Sequence, residues 1–120
     1  MGTLLGTWLL VDARAFGPDE TELEPPLGPD PIGIITYEAE RMIVAVARAT
    51  APALFSGYAG RYTFDGEILT VMVDAASDPT APLEQVRRIS FDGPDRYVAM
   101  PTMRVLGHDA GLRLTWRRAG

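Results

Sequence analysis

Apolar and polar residues alternate with a period of two in several short stretches of this chain, and nowhere with the 3.6-residue period of a long helix. The first stretch, 7–14, puts Trp8, Leu10, Asp12 and Arg14 on one face and Thr7, Leu9, Val11 and Ala13 on the other. It opens with Gly6-Thr7-Trp8, and a Gly-x-Trp at the head of a first strand is a small-barrel signature, the indole being large enough to plug one end. Further strands are predicted at 32–37, 42–48, 58–64, 67–74, 83–91, 96–100 and 112–118. Asp65-Gly66 and Asp92-Gly93-Pro94-Asp95 are hairpin turns, and Glu38-Ala39-Glu40-Arg41 is a further tight turn. Residues 49–57 carry Pro52 and few strand formers, which predicts a loop or a single helical turn. Residues 15–31 hold five prolines and five acids, and read as a long solvated loop over the mouth. About eight strands joined mostly by hairpins predict an all-β single domain over 1–120, an antiparallel up-and-down barrel or a sandwich. An eight-stranded barrel has an interior that its side chains fill or that holds one small ligand.

Composition narrows the chemistry. Without cysteine there are no disulfides, no thiolate nucleophile and no cysteine metal site; with one histidine, His108, there is no multi-histidine site. All eleven basic residues are arginine, so Schiff-base chemistry, which needs a lysine amine, is excluded. No metal and no cofactor is expected; phosphate-binding glycine loops and nucleophile elbows do not occur in the sequence. A net charge of −5 argues against a nucleic-acid partner. No apolar run approaches the roughly 18–20 residues of a membrane span, and Met1-Gly2-Thr3-Leu4-Leu5 lacks the pattern of a signal peptide, so a cytoplasmic location is expected.

Five pieces in order resemble the bacterial lipocalin-like domain family. They are Gly6-Thr7-Trp8-Leu9-Leu10-Val11, the run Gly28 to Tyr37 followed by Arg41-Met42, Gly60 to Gly66, Glu84 to Arg88, and Leu112 to Trp116. The resemblance implies a calycin-type barrel with a central apolar cavity. It also implies that a basic residue of the last strand, Arg117 or Arg118, packs on Trp8. The chain departs from the family at Val71 and Met72, where relatives commonly carry histidines, and in a short connection between the third and fourth strands.

Alternation then assigns a lining. Trp8 inward brings Leu10, Asp12 and Arg14 inward; Ile89 and Phe91 inward bring Gln85 and Arg87. Tyr37, Met42, Val44, Tyr58, Met72, Leu114 and Trp116 complete the candidate cavity wall. Asp12, Arg87 and Tyr62 are the candidate catalytic groups: Asp12 to move a proton, Arg87 to hold an anionic or carbonyl oxygen, Tyr62 as a hydrogen-bond donor. If Asp12 and Arg87 are both inside they must be paired, since an isolated buried charge costs several kcal/mol.

The expected partner is a small hydrophobic molecule, with a homodimer also open. The leading function is a cofactor-free cyclase, isomerase or lyase acting on a hydrophobic, natural-product-like intermediate, a use to which small calycin-like barrels are put. The alternative is a non-catalytic carrier that needs the same cavity and no reactive group. A third reading is a self-filled barrel acting as an interaction module. Asp12 and Arg87 both facing the lumen favours the enzyme; both outward, with a wholly apolar lumen, favours the carrier; no cavity at all marks the self-filled barrel.

Overall fold

The computed structural model describes residues 3–50 and 52–119. Eight strands follow one another: β1 (Gly6–Ala15), β2 (Ile32–Tyr37), β3 (Arg41–Arg48), β4 (Leu54–Phe64), β5 (Ile68–Ala76), β6 (Glu84–Phe91), β7 (Arg96–Pro101) and β8 (Leu112–Arg118). Each pairs antiparallel with the next, and β8 pairs with β1, closing an up-and-down barrel. Closure leaves no edge strand, since each strand pairs on both sides over at least part of its length. Among the described residues no helix is long and apolar enough to cross a membrane.

The turns follow their sequence chemistry. Asp65 Oδ1 accepts from the amides of Glu67 and Ile68, and Gly66 takes a φ of 101°, which reverses the chain between β4 and β5. Asp65 itself does not adopt positive φ, so Gly66 alone carries the left-handed geometry. The Glu38–Arg41 turn closes through a 2.8 Å bond from the Glu38 amide to the Arg41 carbonyl. One connector differs from expectation: β4 begins at Leu54, so the second half of 49–57 is strand. Phe55 and Ser56 pair with Ala47 and Val46, and this cross-strand register outweighs the weak local propensity.

The interior is graded by size. At the end where β1 starts, four edge-to-face aromatic pairs fill the barrel: Trp8–Tyr97 at 4.7 Å, Tyr37–Tyr62 at 5.3 Å, Phe91–Tyr97 at 6.0 Å and Phe64–Phe91 at 6.1 Å. Toward the other end the inward positions shrink to Val44, Val46, Ser56, Ala13, Ala99 and Gly33. A Cβ on Gly33 would stand 2.8 Å from Leu10 Cβ and 3.2 Å from the Trp116 ring, so the missing side chain there is space that Trp116 occupies.

The aromatic end is shut. Trp8 is fully buried and donates its indole N–H to the Leu4 carbonyl at 2.9 Å, which folds the N-terminal segment beneath the barrel. The Arg118 guanidinium lies 4.2 Å from the Trp8 ring centre, and donates to the carbonyls of Leu5, Thr3 and Pro94. Of the two candidate arginines it is therefore Arg118 that packs on Trp8, while Arg117 is exposed.

Across β2, β3 and β4 the outward residues Ile32, Ile34, Ile43, Ala45, Ala47 and Phe55 form a continuous apolar strip, with Ile43 and Phe55 largely exposed.

Candidate functional site

The barrel opens at the end away from Trp8. The wall splays there because β5 and β6 pair only as far as Met72 and Glu84, while Asp74–Ala76 continue alongside β4 alone. A vestibule of about 410 Å³ occupies the splay, bounded by Ser56–Tyr58, Val73, the 76–82 connection, Gln85, Arg87 and residues 104–107. Beneath it a smaller pocket of about 70 Å³ reaches into the barrel between Val44, Val46, Tyr58, Ala99, Leu114 and Trp116. Arg87, Tyr58, Ser56, Gly57, Val105 and Leu106 border both spaces, so the two adjoin.

Arg87 stands at the junction. It faces inward from β6 opposite Leu69 and is only 9% exposed. One terminal nitrogen donates to the Val86 carbonyl at 3.0 Å and the other to Gln85 Oε1 at 2.9 Å. Gln85 is held in turn by its Nε2, which donates to the Pro82 carbonyl at 3.2 Å. The guanidinium carbon lies 5.9 Å from the centre of the Tyr58 ring. Six arginine–carboxylate pairs occur among the described residues, and Arg87 is in none of them.

A strained turn roofs this junction. Val105 and His108 exchange backbone hydrogen bonds at 2.9 Å around Leu106 and Gly107, both at positive φ, 50° and 82°. That is the two-residue hairpin geometry that ordinarily recruits Asn-Gly or Gly-Gly. Leucine in the left-handed region costs about 1–2 kcal/mol, yet it puts an apolar side chain over the inner pocket.

The tyrosines are donors rather than bases. Burial pushes Tyr58 above the ordinary phenol range, and the nearby Arg87 charge offsets only part of this. Tyr37 and Tyr97 share a 2.9 Å hydroxyl–hydroxyl bond deeper in the barrel. Burial raises both, and proximity of the pair raises Tyr37 further. At the vestibule rim, Asp78 Oδ1 accepts from the Thr80 hydroxyl and amide, which holds its carboxyl below the usual range.

Several sequence assignments move. Asp12 and Arg14 do not face the lumen. The β1–β8 register shifts between Leu10 and Asp12, and this bulge makes Val11 an extra residue and reverses the alternation after it. Ala13 and Ala15 turn inward instead, Arg14 pairs with Glu22 outside, and one covered oxygen of Asp12, Oδ1, has no hydrogen-bond partner. Met72 is 53% exposed, because β5 turns Leu69, Val71 and Val73 inward. Tyr62 faces in but lies at the shut end, donating to the Glu38 carbonyl at 2.6 Å beside a separate, shallower surface space of about 450 Å³ bounded by Thr3, Leu4, Ala39, Phe64, Asp65 and Gly66. The three candidate catalytic residues are thus not brought together.

Of the candidate wall, Val44, Tyr58, Gln85, Arg87, Leu114 and Trp116 border the open-end spaces. Trp8, Leu10, Tyr37, Met42 and Ile89 are buried packing residues, and Phe91 packs against them. The acidic 15–31 connection lies at the open end of β1 and β2 but borders neither space. Leu27 anchors it by full burial, and Arg48 donates to the Pro26 carbonyl. Sequence alternation missed Ala99, Val105, Leu106 and Ser56. A signal for the last three was available only as small or apolar residues in segments read as loops.

The chain matches no protein-family model, no curated protein and no solved structure.

Proposed function

We propose that this is a lipocalin-like binding barrel that takes a small, largely apolar molecule at its open end and holds it without transforming it. The observation that carries this reading is a vestibule adjoining an inner pocket lined by Val44, Val46, Ala99, Leu114 and Trp116. The inner pocket is mainly apolar, while the vestibule adds Ser56, Ser77, Asp78, Thr80, Gln85 and Arg87; an apolar concavity with placed polar groups is the usual make-up of a small-molecule site. The packing of Arg118 on Trp8 at the shut end supports the lipocalin-like likeness.

A cyclase or isomerase needs a proton acceptor within hydrogen-bond reach of the reacting atom. Asp12, the candidate, is outside the wall. The phenols near the pocket are shifted toward staying protonated, and Asp78 is held ionised and weakly basic. Arg87 polarises but does not accept a proton. These features favour the carrier over the enzyme.

Two measurements test it. Native mass spectrometry of freshly purified protein should show a co-purified small molecule. Titration with the neutral dye N-phenyl-1-naphthylamine should give a saturable 1:1 fluorescence increase. Ala99→Phe, which fills the inner pocket, should abolish that increase. Absence of both co-purified mass and dye binding in the wild type overturns the reading.

A further inference from the structure

We propose that the occupant of this pocket carries a monoanionic carboxylate, and that Arg87, positioned by Gln85, is its receptor. The inference rests on the binding reading above and specifies the ligand.

Arg87 is a buried cation without a counter-charge. Its two hydrogen bonds go to a carbonyl and an amide oxygen, both neutral. A guanidinium has five N–H donors, so most of its donor capacity is unspent by protein acceptors. Enclosing a charge with no opposite partner costs several kcal/mol. The missing negative charge is what a ligand would bring.

The nearest acid of the mouth does not supply it. Asp78 lines the vestibule, but its Oδ1 is engaged by Thr80 and it forms no pair with Arg87. Arg104, also on the vestibule wall, is matched by Asp109 at 2.9 Å on the surface. Among the described residues the mouth therefore carries one buried cation in no ion pair, Arg87, and one rim carboxylate in none, Asp78.

The geometry selects the head group. A planar guanidinium matches a carboxylate with two parallel N–H···O bonds. A single unmatched cation balances one negative charge, and Asp78 at the rim opposes a second, which disfavours phosphate dianions. The Gln85 amide keeps the fork in place, since its own Nε2 is tied to Pro82. With the carboxylate on Arg87, an apolar end passes Tyr58 into the inner pocket. That pocket, about 70 Å³, is under half of the roughly 150 Å³ that encloses a benzene. It takes a short branch or ring edge, and the bulk of the ligand lies in the vestibule under Leu106.

The test displaces N-phenyl-1-naphthylamine from the full chain with matched pairs: octanoate and octanamide, 3-phenylpropanoate and its amide, 1-naphthylacetate and its amide, all at pH 7. Each carboxylate should compete roughly 10- to 100-fold better than its amide, the range of a charge-assisted hydrogen-bonded pair. Arg87→Met should remove the preference while still binding the amides. Arg88→Met, on the outer face, should keep it. Equal competition by acids and amides in the wild type overturns the carboxylate inference and leaves the binding reading standing. Failure of the dye and of every compound to bind overturns both. The wild-type comparison decides the matter even if Arg87→Met does not fold.

Discussion

Replacing Arg118 by alanine should cost about 2–3 kcal/mol of folding stability. Its stacking on Trp8 at 4.2 Å contributes about 1 kcal/mol, within the range for partly desolvated cation–aromatic contacts. Its bonds to the carbonyls of Leu5, Thr3 and Pro94 run from 2.7 to 3.1 Å. The side chain is 24% exposed and water can reclaim those carbonyls, so about 0.5 kcal/mol apiece is the appropriate size, at the low end for hydrogen bonds. The contact with Asp95, itself 75% exposed, adds nothing measurable. For a chain of this length each kcal/mol shifts Tm by about 4 °C, so a fall of about 8–12 °C is expected. Urea unfolding followed by tryptophan fluorescence measures it, with Arg117→Ala as the exposed control, expected within about 0.5 kcal/mol of wild type. A loss under about 0.5 kcal/mol for Arg118→Ala, or an equal loss for Arg117→Ala, would refute this account of the shut end.

Arg87→Met should leave the ligand-free protein as stable as wild type or more so, because it removes an uncompensated buried cation; a loss above about 2 kcal/mol in urea unfolding would mean that Arg87 is a structural strut. Tyr37→Phe should cost about 1–3 kcal/mol by stranding the Tyr97 hydroxyl, and the Tyr37→Phe/Tyr97→Phe double variant should cost less than the two singles together in a double-mutant cycle. All four phenols are raised when folded. Their contribution is therefore fully present below the unfolded-state value of about 10 and is lost as pH rises through the folded values. Ultraviolet titration at alkaline pH should show phenolate appearing together with unfolding, whereas free ionisation of Tyr37, Tyr58 and Tyr97 near pH 10 in the folded protein would contradict the burial argument. Leu106→Gly should relieve backbone strain, so its stability should fall by less than the burial it loses, while affinity for the neutral dye drops; unchanged affinity would remove Leu106 from the site.

The barrel was legible because its signal is local and repeated. Period-two alternation and Asp-Gly turns placed all eight strands, and β2 and β8 match to the residue. Arg87 and Gln85 were placed by elimination, since turning Ile89 and Phe91 outward was untenable, and the register agrees. Asp12 was misplaced because a bulge is set by the partner strand. Nothing in Leu10-Val11-Asp12 marks the extra residue that Trp116 and Thr115 reveal by facing Leu10 and Asp12 in succession. Met72 faces outward because its face of β5 also carries the polar Thr70 and Asp74. The uniformly aliphatic set Leu69, Val71 and Val73 was the better core face. The roof over the pocket was invisible for another reason. Leu106 at positive φ contradicts its own propensity, and only the reciprocal bonds of Val105 and His108 impose it.

The most direct test of the central claim is backbone and methyl chemical-shift mapping of the protein titrated with N-phenyl-1-naphthylamine. Shifts should concentrate at the open end, on Val44, Tyr58, Arg87, Ala99, Leu106 and Trp116, and leave Phe64 and Phe91 at the shut end unmoved. Shifts centred on the outer strip of Ile34, Ile43 and Phe55, or on the dent beside Tyr62, would contradict a binding barrel that loads through its mouth.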